Sequence, residues 1–526
     1  MSFRTSLAAW TCNNRLISRK IVTVATLCFF AYLYWIHHHY RVHIASRKLH
    51  ARIMNNDTRD NARYADFLET WCRLKRMRMD WKQVLRPCAE NMEWGKNKGF
   101  QHSQSRTDAA KSYLILWDIR PAGQFSRFEI QSVTRDNLDK KVGGDSWRVH
   151  VRGPSSMSPT VVDHGNGKYE VIFLVLEPGQ YHVEVVLEYS LCDGYKDPPR
   201  DWFIKGNVQG RYQAPNALPG HDKPFLLSPL WDGAPFTILI PHSTELLFQK
   251  VIDKFGSVNV PCGIRCSEMW DGNGRWMNET WKPYLISEAP QTRNRNPAGK
   301  LETLWIYGDS VGDFFYKSII RQPLCKKIFQ RCNNTYNWVY RIPGRNLTRG
   351  RLENDDKDFS VRRVLTEIFH VISQPFMDSD KSVLILNLGL HYVHTINFTT
   401  YMGLIDKTIR LLNEKFKTNK KSWRFRGQLI WKTTTAINKE KYGDPRTNAR
   451  HSTSIRFLTY QRVLLFNSYA MHAMCRAGID VLDVFPISDS YPEGTGLPGK
   501  PYDAVHFKPH VFQSVVNLLQ RYFGHQ

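Results

Sequence analysis

Three short stretches of this chain hold the residue types that serine-based acyl transfer needs. Gly308-Asp309-Ser310 offers a hydroxyl nucleophile. Asp503-Ala504-Val505-His506 offers a base with an acidic partner just upstream. Asn387, in Leu386-Asn387-Leu388-Gly389-Leu390-His391, offers an amide. A serine hydroxyl is a weak nucleophile until a neighbouring imidazole takes its proton, and the imidazole needs a third group to hold its tautomer. An amide or backbone N–H must then meet the negative charge that collects on the carbonyl oxygen. Each stretch alone has an ordinary structural reading: Ser310 as a helix N-cap, Asn387 as a strand-end cap, Asp503 and His506 as a surface ion pair. Their placement between elements is what carries the argument.

From Leu301 onward apolar runs alternate with helical patterns. LETLWIY, at 301–307, is a buried strand that runs through the turn at Gly308 into a helix over about 311–321. SVLILN, at 382–387, is a second strand. Met402, Ile405, Ile409 and Leu412 mark one face of a helix. QLIWK is a third strand, 453–476 a long helix ending near Gly478, DVLDVF a fourth strand, and about 509–522 a last helix opened by proline. Such alternation predicts a parallel sheet flanked by helices. Ser310 and Asn387 then follow strands directly, at the carboxyl ends where open α/β sheets bind ligands. The helix N-terminus beside Ser310 adds backbone N–H groups to the same place. Asp503 and His506 fall in the loop before the last helix.

In this order and spacing the three stretches resemble the SGNH (GDSL) hydrolase superfamily. The resemblance implies Ser310 as nucleophile, His506 as base, Asp503 as its orienting partner and Asn387 as the oxyanion asparagine. It also implies a glycine N–H between the serine and asparagine blocks, for which Gly344 in RIPGRN is the candidate. His391 lies outside that pattern and is a candidate for substrate contact. The wider architecture resembles the neurexophilin and PC-esterase domain proteins. The likeness rests on CDGYKDPPRDWF, CxxxC before DGNGRW, GDSVGDFF, NLGLHY and DAVHF, and covers most of residues 70–526. It implies an acyl esterase or O-acetyltransferase acting on glycans in the secretory pathway. No bound cofactor is expected, only an acyl donor such as acetyl-CoA as co-substrate. DAVHF departs from the cysteine-flanked D-x-x-H-W block of the plant members, which leaves the acceptor open. A non-catalytic binding protein of neurexophilin type is the competing expectation.

Upstream the texture is β. Tyr169, Val171, Phe173 and Val175 alternate with Lys168, Glu170, Ile172 and Leu174. After Glu177-Pro178-Gly179, the residues Tyr181, Val183, Val185 and Leu187 do the same. This period of two predicts a hairpin with one buried face. With strands near 113–119, 128–133 and 147–152 it predicts a β-sandwich. DHGNGKYEV followed by EPGQYHVEV resembles the filamin-type immunoglobulin-like repeat. Residues 193–300, rich in Pro, Gly and Trp, read as a disulfide-tied lead-in.

Residues 21–36, IVTVATLCFFAYLYWI, carry no charge and as a helix reach about 24 Å, a short membrane span. Arg4, Arg15, Arg19 and Lys20 precede it with no acidic residue among them, which places the N-terminus in the cytosol and the body in the lumen. A cleaved signal peptide is the rival reading, but HHHYR rather than a small-x-small site follows the run. His37, His38 and His39 are read as interfacial residues, and no metal site is expected. Sequons at Asn56, Asn278, Asn333, Asn346 and Asn397, and eight cysteines beyond the span, fit an oxidising compartment. The pairing stays open, although Cys325 and Cys332 are close enough to close a local loop; Cys262 and Cys266 are each read as forming a disulfide, with partners unassigned, rather than as zinc ligands.

The formal net charge of +25 suits an acidic glycan or glycoprotein substrate, or plain solubility. No nucleic-acid reader motif is present. The expected fold class is therefore multidomain. It comprises a cytosolic tail (1–20), a transmembrane anchor (21–36) and a stem (37–100). An all-β immunoglobulin/filamin-like sandwich (101–192), the lead-in (193–300) and a three-layer α/β domain of SGNH type with a parallel sheet (301–526) follow. The expected location is a Golgi or other secretory-pathway membrane, in type II orientation.

Overall fold

The computed structural model describes residues 58–96, 105–199, 202, 222–243, 247–248, 250, 262–263, 266, 268–270, 272–284, 300–336, 359–413, 416–418, 421–423, 425–447 and 449–524. The expected anchor, His37 to His39, Asn56, Gly344 and Asn346 lie outside them. Among the described residues no helix is long and apolar enough to cross a membrane. The chain divides into two compact units, 1–69 and 70–526. Of the first, the described residues are helical from Thr58. That helix, Thr58–Met79, is followed by a second, Trp81–Leu85, with the break at Asp80, whose side chain accepts from Gln83 N.

The second unit opens with the sandwich. One sheet contains β1 (Thr107–Asp118), β2 (Phe125–Thr134), β5 (Thr160–Asp163) and β6 (Lys168–Leu174), in the order β1-β2-β6-β5. The other is built on β3 (Ser146–Arg152), β4 (Ser156–Met157) and β7 (Gly179–Tyr189). Phe128, Ile130, Trp147, Val149, Tyr169, Val171, Tyr181 and Val183 fill the space between the sheets. The expected hairpin at 168–187 is instead a crossover. β6 pairs with β2 and β5, while β7 pairs with β3, so 175–178 carries the chain from one sheet to the other. Period-two alternation states which face of a strand is buried, not which strand lies beside it, and both strands here aim their apolar face at the same core.

The described stretches of 193–300 are shared between the sandwich and the α/β domain. β8 (Ser228–Pro229) and β9 (Thr237–Ile240) pair with β7. β10 (Glu268–Trp270) lies parallel to β19 (Asp480–Leu482) in the α/β sheet. β11 (Gly274–Met277) and β12 (Thr280–Pro283) extend the sandwich through β4. Disulfides Cys72–Cys262, Cys88–Cys192 and Cys266–Cys475 tie these stretches together, and Cys325–Cys332 closes the short loop expected of it.

The α/β domain holds β13 (Leu301–Gly308), β14 (Phe329–Tyr336), β15 (Val383–Leu386), β18 (Gln428–Lys432) and β19 (Asp480–Leu482), all parallel. A separate small hairpin is formed by β16 (Phe416–Thr418) and β17 (Lys421–Trp423). The sheet order is β10-β19-β18-β15-β13-β14. Every residue of β15 is buried, as both faces of a central parallel strand must be when helices cover them. Helices Ser310–Ile319 and Gln513–Gly524 contact each other, and helices Val361–Ile372, Phe398–Asn413 and Tyr460–Arg476 form a second group. The strand order reverses between β13 and β15, a topological switch point where the carboxyl ends open a crevice.

Several boundaries differ from the expected ones. The long helix begins at Tyr460, capped by Thr459, and 453–455 is a separate 3₁₀ turn. The fourth strand stops at Leu482, and the rest of its apolar run enters the short helix Phe485–Asp489. β14 was not foreseen. Its sequence, FQRCNNTY, has no apolar alternation because it is an edge strand paired only to β13.

Candidate active site

Ser310 is the first residue of its helix, immediately beyond the carboxyl end of β13. Asp309 is the N-cap and is buried. Its Oδ1 accepts from Val311 N at 2.9 Å, and its Oδ2 accepts from Leu390 N at 3.0 Å. One carboxylate therefore fixes the serine turn and ties it to the loop after β15. Asp309 O accepts from Asp313 N. Of the first four N–H groups of the helix, those of Ser310 and Gly312 have no partner among the described residues.

His506 comes to this serine across 196 residues of chain. Its Nε2 lies 2.8 Å from Ser310 Oγ, and its Nδ1 lies 2.7 Å from Asp503 Oδ2. Asp503 Oδ1 accepts from Val505 N at 2.9 Å and His506 N at 3.0 Å, so the aspartate orders its own loop as well as the imidazole. Burial opposes ionisation of Asp503, but its bond and charge attraction to His506, with the two backbone donors, outweigh burial and hold its pKa below the usual value. Phe314, one turn after Ser310 on the same helix face, packs on the imidazole with ring centroids 4.7 Å apart. Ser310, His506 and Asp503 thus stand in hydrogen-bonded series, an arrangement that can generate a reactive serine.

The histidine loop is held by neighbours that the sequence pattern does not announce. Asn438 N donates to Ala504 O at 3.0 Å, Gly496 N to His506 O at 2.8 Å, and Gly443 N to Tyr502 O at 3.2 Å. Thr495 N donates to Asn438 Oδ1 at 2.9 Å. Gly494, at φ +62°, passes so close to that amide that a Cβ would lie 2.5 Å from Asn438 Oδ1. Next to Asn438, Lys439 is buried, and its ammonium bonds Tyr189 Oη and Asp222 Oδ2, both at 2.7 Å. The sandwich strand β7 therefore braces the segment that supports the Asp503–His506 loop.

Asn387 occupies the expected place at the end of β15, and its orientation differs from the expected one. Its Nδ2 donates to Lys432 O at 2.9 Å and to Thr434 Oγ1 at 3.2 Å, spending both amide hydrogens on the end of β18. Gly389 leaves room for that arrangement, since a Cβ there would lie 2.3 Å from Asn387 Oδ1. The asparagine braces two strand ends. His391 is half-buried near the triad. Burial pushes its pKa down to about 4, with Asp309 opposing and His506 adding to the fall, so the ring is neutral at physiological pH. Of the sequons, Asn278 is exposed on the turn between β11 and β12, while Asn333 and Asn397 are half-buried; Asn397 Oδ1 accepts from Thr400 N.

Two further residues at the site escaped the sequence reading. Tyr336, the last residue of β14, stands in register with Gly308, two residues before Ser310. Burial first, then the charges of Asp309 and Asp313, push its pKa up to about 12, with the nearby Ser310 hydroxyl opposing. Lys432, buried at the end of β18, donates to Thr433 O at 3.2 Å, and burial pushes its pKa down to about 8 although the Asp309 charge opposes. No sequence signal separates either residue from the ordinary content of a strand. A lysine whose folded pKa is lowered costs stability wherever it is protonated in both states. That cost is full below about pH 8 and disappears as pH rises toward the ordinary value of 10.5. Lys432→Met is therefore expected to stabilise the fold at pH 7, by up to about 3 kcal/mol, with the gain shrinking between pH 8 and 10. Denaturant melts at several pH values check this.

The comparison with known proteins bears on the sandwich. Its strands β1 to β7 coincide with a match to the Filamin/ABP280 repeat over residues 106–190. These residues are a filamin-type repeat. Among solved structures, the crystal structure of the Lin-41 filamin domain is 12% identical, over 26% of this chain and 99% of its own, with a TM-score of 0.17. Another solved chain is 15% identical over 42% of this chain and 98% of its own, with a TM-score of 0.26. At such scores the filamin-type repeat rests on the family match and on the two-sheet topology. The repeat receives extra strands, β8, β9, β11 and β12, from the segment behind it.

Proposed function

We propose that this chain is a serine acyltransferase or acyl esterase of the secretory pathway that moves an acetyl or related acyl group on glycans. The observation that carries the reading is the series Asp503–His506–Ser310, with separations of 2.7 and 2.8 Å, at the carboxyl end of a parallel strand. The likeness of GDSVGDFF, NLGLHY and DAVHF to the neurexophilin and PC-esterase domain proteins supports the same chemistry, and the SGNH order of the three blocks agrees with it.

The steps follow from the geometry. Ser310 Oγ attacks the acyl carbonyl while its proton passes to His506 Nε2, and Asp503 stabilises the imidazolium through Nδ1–H. The free N–H groups at the start of the helix meet the oxyanion. Collapse expels the donor's alkoxide or thiolate, which takes the proton from His506. An acceptor hydroxyl or water then attacks the acyl-serine, giving its proton to His506, and collapse restores Ser310.

Transfer to an acidic glycan is the preferred outcome over hydrolysis. The net charge of +25 supports attraction of sialylated or sulfated acceptors; the basic stretch RIPGRNLTRGR lies outside the described residues. Purified full-length protein, given an acyl donor with sialylated or desialylated mucin, is expected to acylate the sialylated one preferentially. That preference should fall as salt rises, because steering by exposed charge is screened over about 10 Å at 0.1 M. Free acetate alone, with no difference between the mucins, would leave the esterase reading in its place.

A further inference from the structure

We propose that Phe314 is a positioning residue for the serine chemistry: its ring steadies the His506 imidazole between Asp503 and Ser310 and favours the imidazolium that the reaction makes there. This rests on the acyl-serine reading above and adds to it a residue that acts through the base.

Two observations converge. The first is that Phe314 does not serve the core. Two phenylalanines stand side by side on the helix Ser310–Ile319. Phe315 is fully buried and meets Phe512 edge-on, with ring centroids 5.8 Å apart. Phe314 is half-buried and takes no part in that core. The second is what Phe314 touches. Its ring centroid lies 4.7 Å from that of the imidazole, with the planes inclined at 37°, well short of an edge-on contact. Ser310 and Phe314 are one turn apart, so the helix presents nucleophile and ring on one face. The imidazole is thus held at Nδ1 by Asp503, at Nε2 by Ser310 and against its ring by Phe314.

The two hydrogen bonds act in the plane of the imidazole and do little against tilting out of that plane; the phenyl ring blocks the tilt. The contact also changes with charge. The imidazole must be neutral to accept a proton, and it becomes a cation once Ser310 Oγ has given one up. An aromatic face within about 6 Å attracts a cation electrostatically. The contact therefore strengthens as the transition state forms, which raises kcat rather than lowering KM. Lys317 Nζ also lies over Phe314, 5.1 Å from the ring centroid, but Asp313 Oδ2 pairs with it at 2.6 Å and offsets its charge. Asp313 Oδ1 accepts from Asn334 Nδ2 at 2.9 Å, which ties this part of the helix to β14.

The test is acylation of full-length protein by an aryl acetate, followed as phenolate release, for wild type, Phe314→Leu, Phe314→Tyr and Ser310→Ala. Phe314→Leu keeps an apolar side chain and removes the ring, so kcat should fall about 10-fold with KM little changed. Labelling of Ser310 by a fluorophosphonate should slow in parallel. Phe314→Tyr keeps the ring and should restore the wild-type rate. Site-specific replacement of Phe314 by pentafluorophenylalanine leaves the shape nearly unchanged and removes the negative face of the ring. It should lower kcat about as far as Phe314→Leu, a readout that a purely structural phenylalanine would not move. This variant decides the matter should Phe314→Leu fold poorly. An active wild type with kcat unchanged in the pentafluoro protein or in folded Phe314→Leu, or with a loss confined to KM, overturns the inference and leaves the acyl-serine reading standing. A wild-type protein no more active than Ser310→Ala overturns both.

Discussion

Ser310→Ala should abolish turnover, by about 10⁴-fold or more, while the protein melts at the wild-type temperature. The hydroxyl sits at the start of a helix whose N-cap is Asp309, so its removal opens no core cavity and costs no cap. His506→Ala should be about as damaging, and the double variant scarcely worse, because groups that act as one unit lose their joint effect once either is gone. Asp503→Asn should also lose most of its rate, since the amide can present its N–H to Nδ1 and favour the tautomer that cannot accept the serine proton. Steady-state kinetics with an aryl acetate measure all four variants. A Ser310→Ala protein that keeps its rate, or melts far lower, would make the serine structural.

The largest expected loss of stability comes from Arg462→Ala. Arg462 is fully buried in the helix Tyr460–Arg476, and its guanidinium is shared among four acceptors. Nε donates to Val393 O at 3.0 Å. Nη1 donates to Lys196 O at 3.1 Å and to Asp197 Oδ1 at 2.5 Å. Nη2 donates to Ile396 O at 2.6 Å. Asp197 also accepts from Phe398 N at 2.9 Å, so the pair joins the stretch after the filamin-type repeat to two helices of the α/β domain. Burial raises the Asp197 pKa, and the Arg462 charge opposes that rise. Removing the arginine strands a buried carboxylate and several carbonyls, at a cost of about 3–5 kcal/mol. Asp197→Asn should cost less, because Arg462 retains three carbonyl acceptors. Equilibrium denaturation of the two variants reads the difference, and equal losses would show that the carboxylate, not the guanidinium network, holds the junction.

The parts of this protein that were legible in advance are those where local pattern and global fold agree. LETLWIY and VLIL are mostly apolar because both sheet faces are covered, and Ser310 and Asn387 follow them at the strand ends. Asp503 and His506 were readable because an aspartate three residues before a histidine can bond it within one loop. The crossover at 175–178 was not readable, since alternation is indifferent to which strand is the partner. β14 was hidden because an edge strand has no need of apolar alternation, and Tyr336 was hidden with it. The orientation of Asn387 depends on Lys432 and Thr434, more than forty residues away in the chain, and no pattern within its own block reports on them.

The central claim is that Ser310, activated by His506, is an acyl-accepting nucleophile. A serine-directed fluorophosphonate applied to the full-length protein, followed by peptide mass mapping, tests it most directly. The account predicts a single stoichiometric adduct on Ser310, formed in wild type and lost in both Ser310→Ala and His506→Ala. A wild-type protein that remains unlabelled while folded, or an adduct on Ser310 that forms equally fast without His506, would contradict it.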